Sequence, residues 1–154
     1  MSSNPFKLLK DDHKKVAKLF KEIEGTSESA KKTKANLYAR LKDELEQHTQ
    51  LEEQQLYPFL KDCEATKDMV LEAYEEHDIV KTLLSELEEE EVGSDTWATK
   101  HKVMKENVEH HVSEEEEELL PEAESALSDK ELNKLSQNIA EAKAQTQPGK
   151  VKNF

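Results

Sequence analysis

The chain has 154 residues, 37% of them charged, a net charge of −13, three glycines, four prolines and one cysteine. That length suits one domain with a single core, while the charge repels nucleic acid and anionic membranes, the scarcity of glycine excludes a dinucleotide fold, and a lone Cys63 excludes an internal disulfide. No apolar run reaches the roughly 18 residues of a membrane span and the first residues lack the basic-then-apolar pattern of a signal peptide, so a reducing cytoplasm is the expected location.

Four amphipathic segments predict four long helices. The first spans about Pro5 to Glu24, with Phe6, Leu9, His13, Val16, Phe20 and Ile23 at alternating steps of three and four. The second, about Ser29 to Leu60, aligns Leu37, Leu41, Leu45, His48, Glu52 and Phe59. The third, about Lys67 to Glu91, aligns Val70, Ala73, His77, Val80, Leu84 and Leu87. The fourth, about Thr96 to Ser125, aligns Trp97, His101, Met104, Val108, His111 and Glu115. Such seams belong to helices that pack against other helices. Gly25-Thr26-Ser27 and Gly93-Ser94-Asp95 break the pattern, and short loops between long helices imply antiparallel neighbours. The expectation is therefore all-α: an up-down-up-down four-helix bundle over residues 1–127. A capping box at Ser128-Asp129-Lys130-Glu131 opens a short accessory helix with Leu132, Leu135 and Ile139 on one stripe. Pro148-Gly149 ends it, and Lys150 to Phe154 is expected to fray, completing a second unit over 128–154. The acidic runs Glu86 to Glu91 (broken by Leu87) and Glu114 to Glu118 read as solvated helix faces.

Each of the four seams carries a histidine where Leu or Ile is expected, and two carry a glutamate one turn later. An internal repeat links them. His48, Glu52-Glu53, Leu56 and Pro58 match His111, Glu115-Glu116, Leu119 and Pro121, 63 residues on. Asp12-His13, Val16 and Leu19 match Glu76-His77, Val80 and Leu83, 64 residues on. The repeat selects His111 over His110, because only His111 has both the Glu and the Pro.

A repeat that keeps polar residues on apolar seams indicates a site, since a buried carboxylate is costly unless paired or metal-bound. Residues i and i+4 share a helix face, so His48 with Glu52, and His111 with Glu115, can each present a nitrogen and a carboxylate to one pocket. Carboxylates have two oxygens and can bridge two ions; with four terminal imidazoles they make a nearly symmetric two-metal site. Imidazole and carboxylate suit iron, manganese or zinc, and the thiolates preferred by structural zinc or copper(I) are missing.

The pattern His13, His48-x-x-x-Glu52, His77, His111-x-x-x-Glu115, together with Glu-Glu-x-x-Leu-Tyr-Pro ending at Pro58, resembles the hemerythrin-like, His-His-Glu cation-binding domain. The resemblance covers roughly Pro5 to Pro121. It implies a four-helix bundle holding two iron ions, oxo- or hydroxo-bridged, on His13, His48, Glu52, His77, His111 and Glu115. Oxygen-carrying hemerythrins have five histidines, two of them four apart on the third helix, and an aspartate on the fourth. Here the positions four before and four after His77 are Ala73 and Lys81, and Glu115 stands on the fourth helix. Lacking that imidazole, both metals keep an open position, which favours redox chemistry or sensing over reversible oxygen carriage. The ferritin-like pattern fits less well, because it needs Glu-x-x-His on two helices.

Among the remaining polar residues, His101 lies ten residues before His111, about 15 Å along a helix axis, too far to join the centre; it is expected in the core or along an access path. His110 is expected to be exposed, Tyr74 to pack near the site or hydrogen-bond near the metals, and Glu53 and Glu116 to face water, form ion pairs or support the ligands from outside. Asp12 and Glu76 recur beside ligand histidines and are candidates to support them. Three functional readings follow. The first is a di-iron protein handling or sensing oxygen, nitric oxide or iron, as a monomer or weak homo-oligomer. The second is a peroxidase- or catalase-like enzyme acting on hydrogen peroxide. The third is a non-redox helical metal-binding or interaction module.

Overall fold

The computed structural model describes residues 6–145, and every regular element among them is helical. Helix α1 spans Lys7–Glu24 and α2 Lys31–Leu51; one π turn, π1 (Glu52–Leu56), joins α2 to the single-turn α3 (Tyr57–Leu60). Helix α4 spans Lys67–Glu88, α5 Asp95–Glu114, π2 Glu115–Leu119, α6 Leu120–Ala126 and α7 Asp129–Gln145. The expected helix starts at Ser29 and Thr96 move to Lys31 and Asp95, and the third helix stops at Glu88 rather than Glu91. Pro5, Pro148-Gly149 and the segment Lys150 to Phe154 lie outside the described residues.

Helix α1 lies along α2, and α4 along α5. The contacts run in opposite chain senses. Phe6 shares a cluster with Leu60 while Ile23 shares one with Tyr38; Lys105 pairs with Glu24 at 2.7 Å, whereas His13 meets Glu115. Before α5, Gly93 takes φ +86°, a region a side chain disfavours. Ser94 Oγ then accepts from Trp97 N–H at 3.2 Å, capping the helix.

The two halves of the second and fourth expected helices are not continuous α. Tyr57 N–H donates to the Glu52 carbonyl and Leu120 N–H to that of Glu115, five residues back in each case. Pro58 and Pro121 follow at once. A proline ring collides with the carbonyl four residues back in a regular α-helix and offers no N–H; a widened turn accommodates it. The extra residue shifts the seam by one position. Phe59, expected on the seam, becomes half-buried, and Tyr57 and Leu60 take the interior. Upstream, Tyr38 is buried in place of Leu37.

The core is two apolar clusters with a polar layer between them. One contains Phe6, Leu9, Leu56, Leu60, Val70 and Leu119, covered by α7 through Leu132, Leu135 and Ile139. The other contains Val16, Phe20, Leu41, Leu84, Trp97 and Met104. The capping box forms as the sequence indicates: Glu131 N–H donates to Ser128 Oγ at 3.1 Å and Ser128 N–H to Glu131 Oε1 at 2.9 Å. Ser128→Ala should cost about 1 kcal/mol, measured by urea denaturation; an unchanged midpoint would show that α7 docking does not depend on its cap.

Candidate metal centre

The polar layer is the site. His13, His48, Glu52, His77, His111 and Glu115 are all buried and converge between the two apolar clusters. Two donor groups form, one of His13, His48, Glu52 and Glu115, the other of Glu52, His77 and His111. All four imidazoles point Nε2 inward. The two Nε2 atoms are 3.1 Å apart in the His13–His48 pair and 3.2 Å apart in His77–His111. Two nitrogens about 2.1 Å from one ion, at a right angle, lie about 3.0 Å apart, so each pair has the spacing of two ligands to a shared cation.

The glutamates span the pairs. Glu52 puts Oε2 3.1 Å from His48 and Oε1 3.1 Å from His77. Glu115 puts Oε1 3.2 Å from His13 and Oε2 3.3 Å from His111. Both Glu52 Oε2 and Glu115 Oε1 are buried without a hydrogen bond. Buried carboxylate oxygens normally have a donor; here the neighbouring atoms are imidazole nitrogens not aimed to donate, as around a common ion. On this observation the residues fit bound metal.

Outward, every imidazole has a carboxylate on Nδ1. His13 donates to Glu116 at 2.6 Å and His77 to Glu53 at 2.7 Å. His111 donates to Glu76 at 2.7 Å and His48 to Asp12 at 3.1 Å. Such partners fix the tautomer and ring angle and raise the basicity of the inward nitrogen. The repeat flagged Asp12 and Glu76, but each serves the histidine of the next helix rather than its own neighbour. Glu53 and Glu116 take the supporting role that was the alternative to a water-facing one, holding His77 and His13; Lys81 pairs with Glu53 at 3.1 Å.

Electrostatically, burial opposes charge on His13, His48 and His111, yet the carboxylates outweigh it. His48 is pushed up to about 10 by Glu52 and Asp12, and His111 up to about 12 by Glu115, Glu52 and Glu76. His13 rises for the same reason, chiefly through Glu115. Glu52 lies well below the usual carboxylate range despite complete burial, held there by His48, Glu115 and His111.

One site residue was not singled out in the sequence. Tyr57, 0% exposed, places its hydroxyl 3.1 Å from Glu52 Oε1 and 3.0 Å from Glu115 Oε2, with His77 and His111 Nε2 at 3.2 and 3.4 Å. The π turn makes this reach possible, because it brings the residue five positions after Glu52 onto the ligand face. Its counterpart in the repeat is Leu120, so the phenol enters only the His77–His111 half. The available signal was the Tyr of the Glu-Glu-x-x-Leu-Tyr-Pro motif, a polar aromatic between Leu56 and Pro58 where the repeat has Leu120. Burial pushes the phenol well above its ordinary value, as do the charges of Glu52 and Glu115, so it is a neutral donor. Tyr57→Phe should cost the metal-free protein about 2 kcal/mol through lost hydrogen bonds to charged acceptors. Equal denaturation midpoints for the two proteins would rule out a hydrogen-bonding role.

Tyr74 packs edge-on against Tyr57, with ring centroids 5.2 Å apart, and does not reach the site. His110 is exposed and pairs with Glu114. His101 is buried in the distal cluster, stacked on Trp97 at 4.8 Å. On the distal side of the four imidazoles lies a cavity of about 20 Å³ lined by Val16, Leu45, Thr49, Val80, Val108 and Val112. Leu45, Thr49 and Val80 also line an open groove of about 440 Å³ between α2 and α4.

A helical fold whose apolar core is interrupted by four imidazoles and two shared carboxylates defines a cation-binding type of domain. A profile of the Hemerythrin HHE cation binding domain matches residues 4–123. The chain belongs to that family. It is similar to the crystal structure of a hemerythrin HHE cation-binding domain-containing protein from Mycobacterium kansasii. The TM-score is 0.80 at 25% identity, over 94% of this chain and 87% of that one. No curated protein matches this sequence. Among the described residues no helix is long and apolar enough to cross a membrane.

Proposed function

We propose that the chain is a non-haem di-iron protein that handles or senses a small ligand such as oxygen or nitric oxide, or iron itself. The observation that carries this is the pair of donor groups joined through Glu52, with buried glutamate oxygens lacking hydrogen bonds. His13 and His48 would hold one ion, His77 and His111 the other, and Glu52 and Glu115 would bridge them. Iron would supply ligand binding and electron transfer. Soft thiolates are absent from the donor set, and manganese or zinc are the alternatives. The small cavity lined by valines beside the four imidazoles has room for one molecule of about the size of water, which supports a small, uncharged ligand. The same reading takes residues 1–127 as an up-down-up-down four-helix bundle with α7 as its accessory helix. It takes the protein as a cytoplasmic monomer or weak homo-oligomer.

Metal analysis of protein never exposed to chelator tests this. Two irons per chain with ferric absorption in the near ultraviolet are expected; zinc alone, or no metal, would leave the non-redox module. Turnover of hydrogen peroxide is the second reading, supported by the neutral phenol of Tyr57 beside both glutamates, a group able to donate a hydrogen bond to a bound oxygen species. It requires turnover by the purified protein that disappears in His77→Ala while the fold is kept.

A further inference from the structure

The accessory helix does more than cover the core. Its buried stripe is Leu132, Leu135 and Ile139, and Lys143 follows Ile139 by four residues, on the same face. Where a further apolar residue would continue the stripe, a lysine reaches Asp12 Oδ1. Asp12 is 2% exposed, and its other oxygen, Oδ2, accepts from His48 Nδ1 at 3.1 Å. A connected line therefore runs from α7 to an inward-pointing imidazole: Lys143, Asp12, His48. The other half of the repeat has no equivalent. There Glu76 holds His111, and its second oxygen lies 3.6 Å from the exposed His110 of α5, with no lysine paired to it among the described residues. The family profile stops at residue 123, so Lys143 is supplied by an element beyond the matched domain.

We propose that Lys143 is a positioning residue for the metal ion held by His13 and His48: it pins the buried carboxylate of Asp12, which fixes the ring of His48. The proposal rests on the two-metal reading above. Without the ammonium, Asp12 keeps a buried oxygen with no strong partner and can turn to seek water, releasing Nδ1 of His48. The outer carboxylates of the other pair, Glu53 on His77 and Glu76 on His111, are not the one that Lys143 holds, so the His77–His111 ion keeps its ring partners. The two metal positions thus differ in what orients their ligands, although their inner donors are nearly symmetric.

Anaerobic titration of the full chain with Co(II), followed by ligand-field absorption, tests this on wild type, Lys143→Met and Lys143→Arg. Ring nitrogen chemical shifts of His48 and His111 in the Zn(II)-loaded proteins identify which half responds. Lys143→Met is expected to weaken one of the two cobalt ions about tenfold, the lower end of the effect of losing a ligand's outer partner, and to move the His48 ring signals while leaving those of His111. Lys143→Arg keeps the cation and should restore the tighter constant. If wild type binds two ions and Lys143→Met binds both equally well, or weakens both alike, the role of Lys143 is overturned and the two-metal reading stands. If wild type binds no cobalt, the two-metal reading itself falls, and this one with it.

Discussion

Glu52→Ala is expected to lose both metal ions, whereas His77→Ala is expected to lose only one. The difference follows from what each side chain touches. Glu52 belongs to both donor groups, with one oxygen 3.1 Å from His48 and the other 3.1 Å from His77. On the proposed two-metal reading, its removal would take a ligand from each ion and half of the bridging negative charge that would balance two cations held away from water. Outer partners of ligands already contribute 10–100-fold to metal affinity, so deleting a bridging ligand should weaken each ion by at least about 100-fold. His77 serves one group only; its removal leaves His13, His48, Glu52 and Glu115 intact. Metal content after equilibration with limiting iron checks this, with near-stoichiometric binding as the wild-type reference. Two ions retained by Glu52→Ala, or none by His77→Ala, would mean that Glu52 does not join two otherwise separable positions. His77→Ala should fold, since α4 keeps Val70, Ala73, Val80, Leu84 and Leu87 in the core.

The four seams were legible because helix packing leaves a period, and the site was legible because its donors interrupt that period at positions the repeat duplicates. Spacing alone put Glu52 on the face of His48, and the structure agrees. Periodicity did not expose the π turns. One added residue does not disturb a pattern of threes and fours enough to be noticed, and the i to i+5 bond depends on tertiary packing and on the prolines that follow. Missing the turn meant missing Tyr57, which in a regular helix would sit off the face of Glu52. The outer carboxylates were half legible. The repeat marked Asp12 and Glu76, but sequence proximity suggests His13 and His77 as their partners, while the bundle delivers His48 and His111 from the neighbouring helices. Lys143 carried no signal: a lysine near a helix end is ordinary, and only the fold sets it over a buried aspartate.

His101 makes a prediction of a different kind, because it is a buried histidine that belongs to no donor group. It lies among Phe20, Tyr38 and Trp97, 5% exposed, with Nε2 lacking any hydrogen bond. Burial pulls it down to about 4; Glu24 opposes this, and Lys34 and Lys105 reinforce it. In the unfolded chain the same imidazole titrates near 6.5. Between those values the unfolded state binds the proton and the folded state does not, so stability falls as pH drops through the window from 6.5 to about 4 and levels off below it. At about 1.4 kcal/mol per pH unit, the full loss from this one group is about 3 kcal/mol. His101→Phe keeps a ring in the aromatic cluster and forfeits no hydrogen bond at Nε2, so its stability near pH 7.5 should lie within about 1 kcal/mol of wild type. Its stability should then decline less on acidification, with the gap growing to about 3 kcal/mol in its favour near pH 4. Urea denaturation of both metal-free proteins across this range gives the comparison. The four histidines of the centre are common to both proteins, and His111 lies about 15 Å from His101 along the helix axis, so their titration largely cancels in the difference. Parallel curves would mean that His101 is charged in the folded protein, and the distal cluster would then need a counter-charge that the Glu24–Lys105 pair beside it does not provide.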